Sequence, residues 1–238
     1  MNPFDASVIS LVNSFAHRWF ALDATTALIA TNTLIKGGVI AALIWWAWFR
    51  PSTNRSLDRE LLSCGIFTGF LALLAARTLA ELLPYRERPM HTAALHFQMP
   101  YASNETTMIR WSSFPSDHAA LFFALALSIF FVSRRAGLAA LFYAFAIVCA
   151  PRVYMGFHYP TDILAGALIG VGAASLTQIV WFRTAVTRPV MRWVEQWPGV
   201  FYAGFFLLTF QIAITFDSLR HIGRYVGQLF RALLLGGS

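Results

Sequence analysis

Residues 114–132 read FPSDHAALFFALALSIFFV. After His118 the run carries no charge, and Leu, Phe and Ala fill it without the strict alternation of a lipid-facing strand. It therefore predicts a membrane helix over Asp117–Val132 and argues against an outer-membrane barrel. Ser116 stands at the N-cap position, where a hydroxyl accepts from the first free backbone N–H groups. Those N–H groups and the helix dipole face any anion held at that end, and His118 in the first turn can reach the same anion. A plain capping sequence is the simpler reading of the same residues.

Working outward, the whole chain has this character. Of 238 residues, 58% are hydrophobic and 12% charged, against about 25% charged in a soluble domain. Mean hydropathy is +0.59. The composition predicts an all-α, polytopic transmembrane bundle forming one domain over 1–238. The net charge of +7 comes almost wholly from arginine, with Lys36 the single lysine. The arginines cluster between apolar runs, which fits headgroup anchoring and orientation. No nucleic-acid-binding motif is present. Cys64 and Cys149 lie inside apolar stretches and read as buried free thiols. The N-terminus lacks a basic region and a cleavage site, so it is not read as a cleaved signal peptide.

Residues 3–18 place Phe4, Val8, Leu11, Val12 and Phe15 at helical spacing, predicting an N-terminal amphipathic helix on the membrane surface. Six spans follow: Leu22–Phe49, interrupted at Asn32, Lys36 and Gly37-Gly38; Glu60–Leu83; Asp117–Val132; one beginning at Gly137–Ala150; Asp162–Phe182, rich in small residues suited to close packing; and Val200–Phe216. Pro84–Pro115 reads as a long polar segment, Arg183–Trp197 as a basic loop, and 217–238 as an amphipathic tail. The first span has an alternative reading as two shorter helices.

Arginines mark the loops after spans one (Arg50, Arg55, Arg59), three (Arg134, Arg135) and five (Arg183, Arg188, Arg192). Alternation puts all three on the cytoplasmic side. The stretches holding Arg88, Ser116, His118, Arg152 and His158 then share the extracytoplasmic face. Arg220, Arg224 and Arg231 in the tail strain this topology.

Three polar stretches carry chemistry. In Arg152-x5-His158-x3-Asp162, Asp162 falls in the first turn of a helix, where it can hold one ring nitrogen of His158 and expose the other. A helix N-terminal charge beside an interfacial histidine is the bland alternative. Arg88-Pro89 follows the second span, where an arginine meets phosphate or snorkels to headgroups. With Ser116, Asp117 and His118, these groups suit phosphoryl transfer: two histidines for nucleophile and acid, arginines for phosphate oxygens.

In this order and spacing, the motifs resemble the type 2 phosphatidic acid phosphatase (PAP2) superfamily, whose signature is K-x6-R-P, P-S-G-H and S-R-x5-H-x3-D. The likeness covers a catalytic core of about residues 60–180. It implies His158 as a nucleophile forming phosphohistidine, Asp162 as its orienting carboxylate, and His118 as general acid and then base. It implies Arg88, Ser116, Arg152 and the backbone N–H of Asp117 as phosphate ligands, with no metal or other cofactor. There are three departures. Glu81 replaces the first-motif lysine, Asp117 the glycine, and Pro151 the serine. Arg86 is the nearby cation that could substitute for the lysine, and Arg77, one turn before Glu81, is placed to pair with it. FPSDHA and RVYMGFHYPTDILAG resemble the bacterial undecaprenyl-diphosphate phosphatase branch, the bacitracin-resistance type.

The resemblance implies an integral phosphatase of the bacterial inner membrane, with its site facing the periplasm. It would convert undecaprenyl diphosphate to undecaprenyl phosphate and phosphate, recycling the lipid carrier of cell-wall peptidoglycan synthesis. Phosphatidylglycerophosphate, phosphatidic acid and lipid A phosphate are alternative substrates. From another class, an anionic-lipid transporter or scramblase would use the same charges for binding alone. The expected partners are the lipid phosphate substrate and membrane lipids, with no nucleic acid.

Overall fold

The structure, a computed structural model, describes residues 2–101 and 111–214. The expected amphipathic tail over 217–238, its arginines and the end of the sixth span lie outside these residues. Among the described residues, ten α-helices run in order: α1 (Pro3–Asn13), α2 (Phe20–Thr31), α3 (Val39–Phe49), α4 (Arg55–Leu82), α5 (Asp117–Val132), α6 (Arg134–Tyr143), α7 (Ala150–Tyr154), α8 (Pro160–Ser175), α9 (Val180–Gln196) and α10 (Pro198–Ala213). There is no strand among the described residues.

Helix ends follow local chemistry. The Asn54 side chain accepts from Leu57 N at 3.2 Å and caps α4. Ser116 does the same for α5, accepting from Ala119 N at 3.4 Å. Pro160, with no N–H to lose, opens α8. A wide turn at Ala144–Cys149 joins α6 to α7 just before Pro151, where the proline interrupts the hydrogen-bond ladder.

Among the described residues, three helices are long and apolar enough to cross a bilayer: Arg55–Leu82, Arg134–Tyr154 and Pro160–Gln178. A fourth candidate is α2 with the segment Leu34–Phe49, bent by 62°. The bend falls where Asn32 Oδ1 accepts from Ile35 N at 3.0 Å and starts the next helix, at the first of the interruptions expected in this span. Helices α5 and α10 are apolar but have 16 residues each. At 1.5 Å per residue that is about 24 Å, short of the ~30 Å hydrocarbon core.

One expectation is corrected. The supposed basic loop Arg183–Trp197 is mostly helix α9, with Val190, Met191 and Val194 packed on the core. Its arginines mask an amphipathic pattern that Pro189 also obscures. Helix α1 ends at Asn13 and buries Asp5 and Ile9, while Phe4 and Leu11 of the expected apolar stripe are exposed.

At the centre, α5 packs against α4, α6 and α8. The α5–α8 approach is close: a Cβ on Gly166 would stand 2.3 Å from the Ser116 carbonyl oxygen. Only glycine lets these two helices start side by side. Trp45 Nε1 donates to Thr209 Oγ1 at 2.9 Å and Trp48 Nε1 to the Tyr202 hydroxyl at 3.2 Å, tying α3 to α10.

Candidate active site

The three polar stretches meet at one end of the bundle. Ser116 N donates to the Asp162 carbonyl at 3.1 Å, joining the starts of α5 and α8. Gly156, at φ +69°, turns the chain out of α7, and the N–H groups of Phe157 and His158 return to the Arg152 carbonyl. The segment after α4 closes over them: Ser113 N donates to the Arg86 carbonyl at 2.9 Å and Met90 N to that of Gly156 at 3.1 Å.

A cavity of about 320 Å³ opens here, lined by Ala76, Arg77, Thr78, Ala80, Glu81, Arg88, Trp111, Ser112, Pro115, Asp117 and His158. Arg88 is buried and donates to the carbonyls of Trp111 (3.2 Å), Ser112 (3.2 Å) and Phe157 (2.5 Å). Arg152, equally buried, donates to the Ala30 carbonyl at 3.0 Å at the end of α2. Among the described residues, no group of three His, Cys, Asp or Glu side chains could hold a metal ion.

His158 is 4% exposed, and its Nδ1 lies 2.8 Å from the Ser113 carbonyl oxygen. A carbonyl can only accept, so Nδ1 carries the proton and Nε2 keeps its lone pair. The sequence pointed to Asp162 as the acceptor. Instead Asp162 Oδ2 stands 3.7 Å from Nδ1, an ion-pair rather than hydrogen-bond distance. Its carboxylate accepts from Tyr159 N at 2.7 Å and from Arg86 Nη1 at 2.5 Å. Burial lowers the His158 pKa, and the charges of Arg88 and Arg152 add to this; Asp162 opposes without reversing it.

His118 Nδ1 lies 2.7 Å from Asp117 Oδ1, and His118 Nε2 is buried with no hydrogen-bond partner among the described residues. The other Asp117 oxygen pairs with Arg77 at 3.4 Å. Arg77 therefore pairs with Asp117, not with Glu81 as its spacing suggested. Asp117, where the family signature has glycine, links Arg77 to His118.

Arg86 is also placed differently from the expected lysine substitute. It does not line the cavity. Its Nη1 meets Asp162 and Thr161 Oγ1 (2.9 Å), its Nη2 meets Asp5 at 2.6 Å, and its guanidinium lies 4.2 Å from the Tyr159 ring centre. Removing one partner from such a buried pair costs about 3–5 kcal/mol, because a charge is left unmatched. Glu81 does line the cavity, one face-turn along α4 from Arg77.

The structure thus adds Arg77, Ser113, Asp5 and Thr161 to the constellation. Ser113 acts through its backbone, which leaves no trace in residue type. Asp5, an acid in an otherwise uncharged helix, was the signal that sequence reading passed over.

The sequence profile of the PAP2 superfamily matches residues 59–185, more than half of the chain. The chain belongs to the PAP2 superfamily. That makes it a phosphatase by family, and the match runs from the first turn of α4 through α8 with every cavity-lining residue. Among similar proteins is "Putative undecaprenyl-diphosphatase YbjG" of Escherichia coli K12, 26% identical over 85% of this chain and 94% of the relative. Undecaprenyl-diphosphatase BcrC of Bacillus subtilis 168 is 24% identical over 69% of this chain and 77% of its own length. A lipid A 4′-phosphatase of Bacteroides thetaiotaomicron is 41% identical over 24% of this chain and 26% of its own. No solved structure matches the chain significantly. Membrane relatives and several apolar helices together suggest a multi-pass membrane protein.

Proposed function

We propose that this PAP2 protein hydrolyses undecaprenyl diphosphate to undecaprenyl phosphate and inorganic phosphate, with His158 as nucleophile. One observation carries the reading: the His158 proton is held on Nδ1 by Ser113, leaving Nε2 as the free nucleophilic nitrogen of a cavity-lining ring. Nε2 attacks the terminal phosphorus, and the bond to the bridging oxygen breaks in line. His118 protonates that oxygen as undecaprenyl phosphate leaves. Its Nδ1 contact with Asp117 stabilises the imidazolium needed for that step. His118 then takes a proton from water, which attacks the phosphohistidine and releases phosphate. Arg88 and Arg77, both in the cavity wall, neutralise charge on the equatorial oxygens. Arg152 and Ser116 support the same region from behind.

The two undecaprenyl-diphosphatase names among long-covering relatives favour the diphosphate substrate. The lipid A 4′-phosphatase favours a sugar-linked phosphate as the second reading of the same site. One domain over 1–238 crosses the membrane through the bent α2–α3 pair, α4, α5, α6–α7, α8 and α10, with the cavity on the periplasmic side of a bacterial inner membrane. Supporting this, Arg50 at the end of α3 donates to Val132 O at the end of α5, and Arg183 pairs with Glu60 near the start of α4. These arginines sit at helix ends opposite the cavity, as the positive-inside rule asks.

The test is phosphate release in EDTA by detergent-purified protein from undecaprenyl diphosphate, lipid A, phosphatidylglycerophosphate and phosphatidic acid, with His158→Ala as control. Preference for the diphosphate, lost in the variant, is expected. Preference for another lipid changes the substrate. Lipid binding without any release would move the protein to transport or binding.

A further inference from the structure

Helix α1 was expected to lie on the membrane surface, and a first-turn acid such as Asp5 is ordinarily a helix N-terminal charge. Its surroundings are different. Asp5 is 0% exposed. Oδ1 accepts from Thr161 N at 3.0 Å. Oδ2 accepts from Thr161 Oγ1 and Arg86 Nη2, both at 2.6 Å, and from Asn2 Nδ2 at 3.0 Å. Two of these partners lie in parts of the chain 81 and 156 residues away, and both flank Asp162.

We propose that Asp5 is a positioning residue for the reaction at His158, acting through Arg86 on Asp162. The proposal rests on the functional reading given above. A single guanidinium is shared between two buried carboxylates, Nη1 on Asp162 and Nη2 on Asp5. Because Asp5 holds part of that charge, Asp162 stays incompletely neutralised. It keeps a negative field 3.7 Å from the His158 ring, where positive charge develops when Nε2 bonds to phosphorus. Asp5 also fixes Thr161, whose neighbour Asp162 caps α8 through Tyr159 N. Burial alone would raise the Asp5 carboxyl, but the hydrogen bonds from Thr161 and Arg86 outweigh it and hold the group below its ordinary range. The N-terminal helix is thus part of the catalytic scaffold.

The signs can be worked out. Neutralising Asp5 gives Arg86 wholly to Asp162, weakens the field on the ring and lowers the His158 pKa. Removing Arg86 frees the Asp162 charge and raises it. The other charged groups facing His158 are Arg88 from the segment after α4, Arg152 from α7 and Asp117 from α5; these variants leave all of them in place.

The experiment measures carbethoxylation of His158 by diethyl pyrocarbonate against pH, by peptide mass spectrometry on full-length protein, alongside kcat and KM. Asp5→Asn should lower the midpoint by about 0.5–1 unit, three- to tenfold in the protonation equilibrium. Its kcat should fall about tenfold with KM within about twofold. Asp5→Glu should recover most of both. Arg86→Gln should move the midpoint up, and in that background Asp5→Asn should do nothing further. Should Asp5→Asn fail to fold, Asp5→Ser takes its place with the same expectation. An unmoved midpoint in a folded Asp5 variant, or a kcat loss matched only by loss of folded protein, overturns the proposal. If wild-type protein releases no phosphate from any lipid yet the midpoints move as stated, the coupling of Asp5 to His158 through Arg86 stands and the enzymatic reading fails.

Discussion

The Nδ1 of His158 donates to the backbone carbonyl of Ser113 at 2.8 Å, across 45 residues of sequence. The tautomer is therefore set by a main-chain atom, while Asp162 acts from 3.7 Å as a field. Two different substitutions should separate these contributions. His158→Ala should abolish phosphate release. Asp162→Asn should keep the tautomer and lower kcat by about 10–10²-fold, less than the ~10⁴-fold seen when an acid alone sets the tautomer. Steady-state kinetics on both variants checks this. Equal, complete loss in the two would return the tautomer role to Asp162.

Activity should hold below the pH where an ordinary imidazole protonates. Burial first, and then Arg88 and Arg152, lower the His158 pKa from 6.5. The neutral His158 ring, the proposed nucleophile, therefore persists as pH falls through 6.5, and kcat/KM should decline only below it. Stability has the same sign. The unfolded chain takes up this proton at a pH where the folded chain does not, so stability is full above 6.5 and falls between 6.5 and the lower folded value. Arg88→Gln removes a neighbouring positive charge and should move the acid limb of the pH–rate profile upward. A downward shift would contradict the assignment.

Asp117 bridges Arg77 and His118 at 3.4 and 2.7 Å. Asp117→Asn weakens support for the His118 imidazolium and leaves Arg77 without its counter-charge. Turnover should fall about 10–10²-fold, and less for a substrate whose leaving group needs no proton. An equal loss on both substrates would argue against His118 as the acid.

Glu81 places a carboxylate in the wall of a cavity read as taking an anion. Glu81→Lys should lower KM by about three- to tenfold through one added charge-assisted contact. A raised KM would show that Glu81 contributes to binding as it stands.

Much of this was legible in the sequence, for identifiable reasons. The apolar runs of α4, α5 and α8 gave their helices, because periodicity and length survive without tertiary context. The small residues of Asp162–Phe182 announced close helix packing, and the cap at Ser116 was visible in residue type. His158, Arg88 and Asp117 do share one cavity. What stayed hidden depended on distant partners. Helix α9 comes from a core face masked by arginines, and the placement of Arg86 from a carboxylate 81 residues upstream. Spacing along α4 suggested Arg77 with Glu81, but the neighbouring helix supplied a nearer acid.

The α5–α8 crossing allows a mechanical test. A Cβ at Gly166 would sit 2.3 Å from the Ser116 carbonyl oxygen and 2.9 Å from Ala119 Cβ, whereas at Gly172 it would meet nothing within 4 Å. Gly166→Ala should cost about 1–3 kcal/mol through overpacking and reduce turnover by displacing the two helix starts. Gly172→Ala should be neutral. Thermal melts in detergent compare them, and equal melting points would refute the close crossing.

The most direct measurement is to mix the protein with undecaprenyl diphosphate, quench within milliseconds in base, and locate phosphate by peptide mass spectrometry. The account predicts a base-stable, acid-labile phosphoramidate on His158, absent from His158→Ala. Turnover with no adduct, or an adduct on His118 instead, would contradict it.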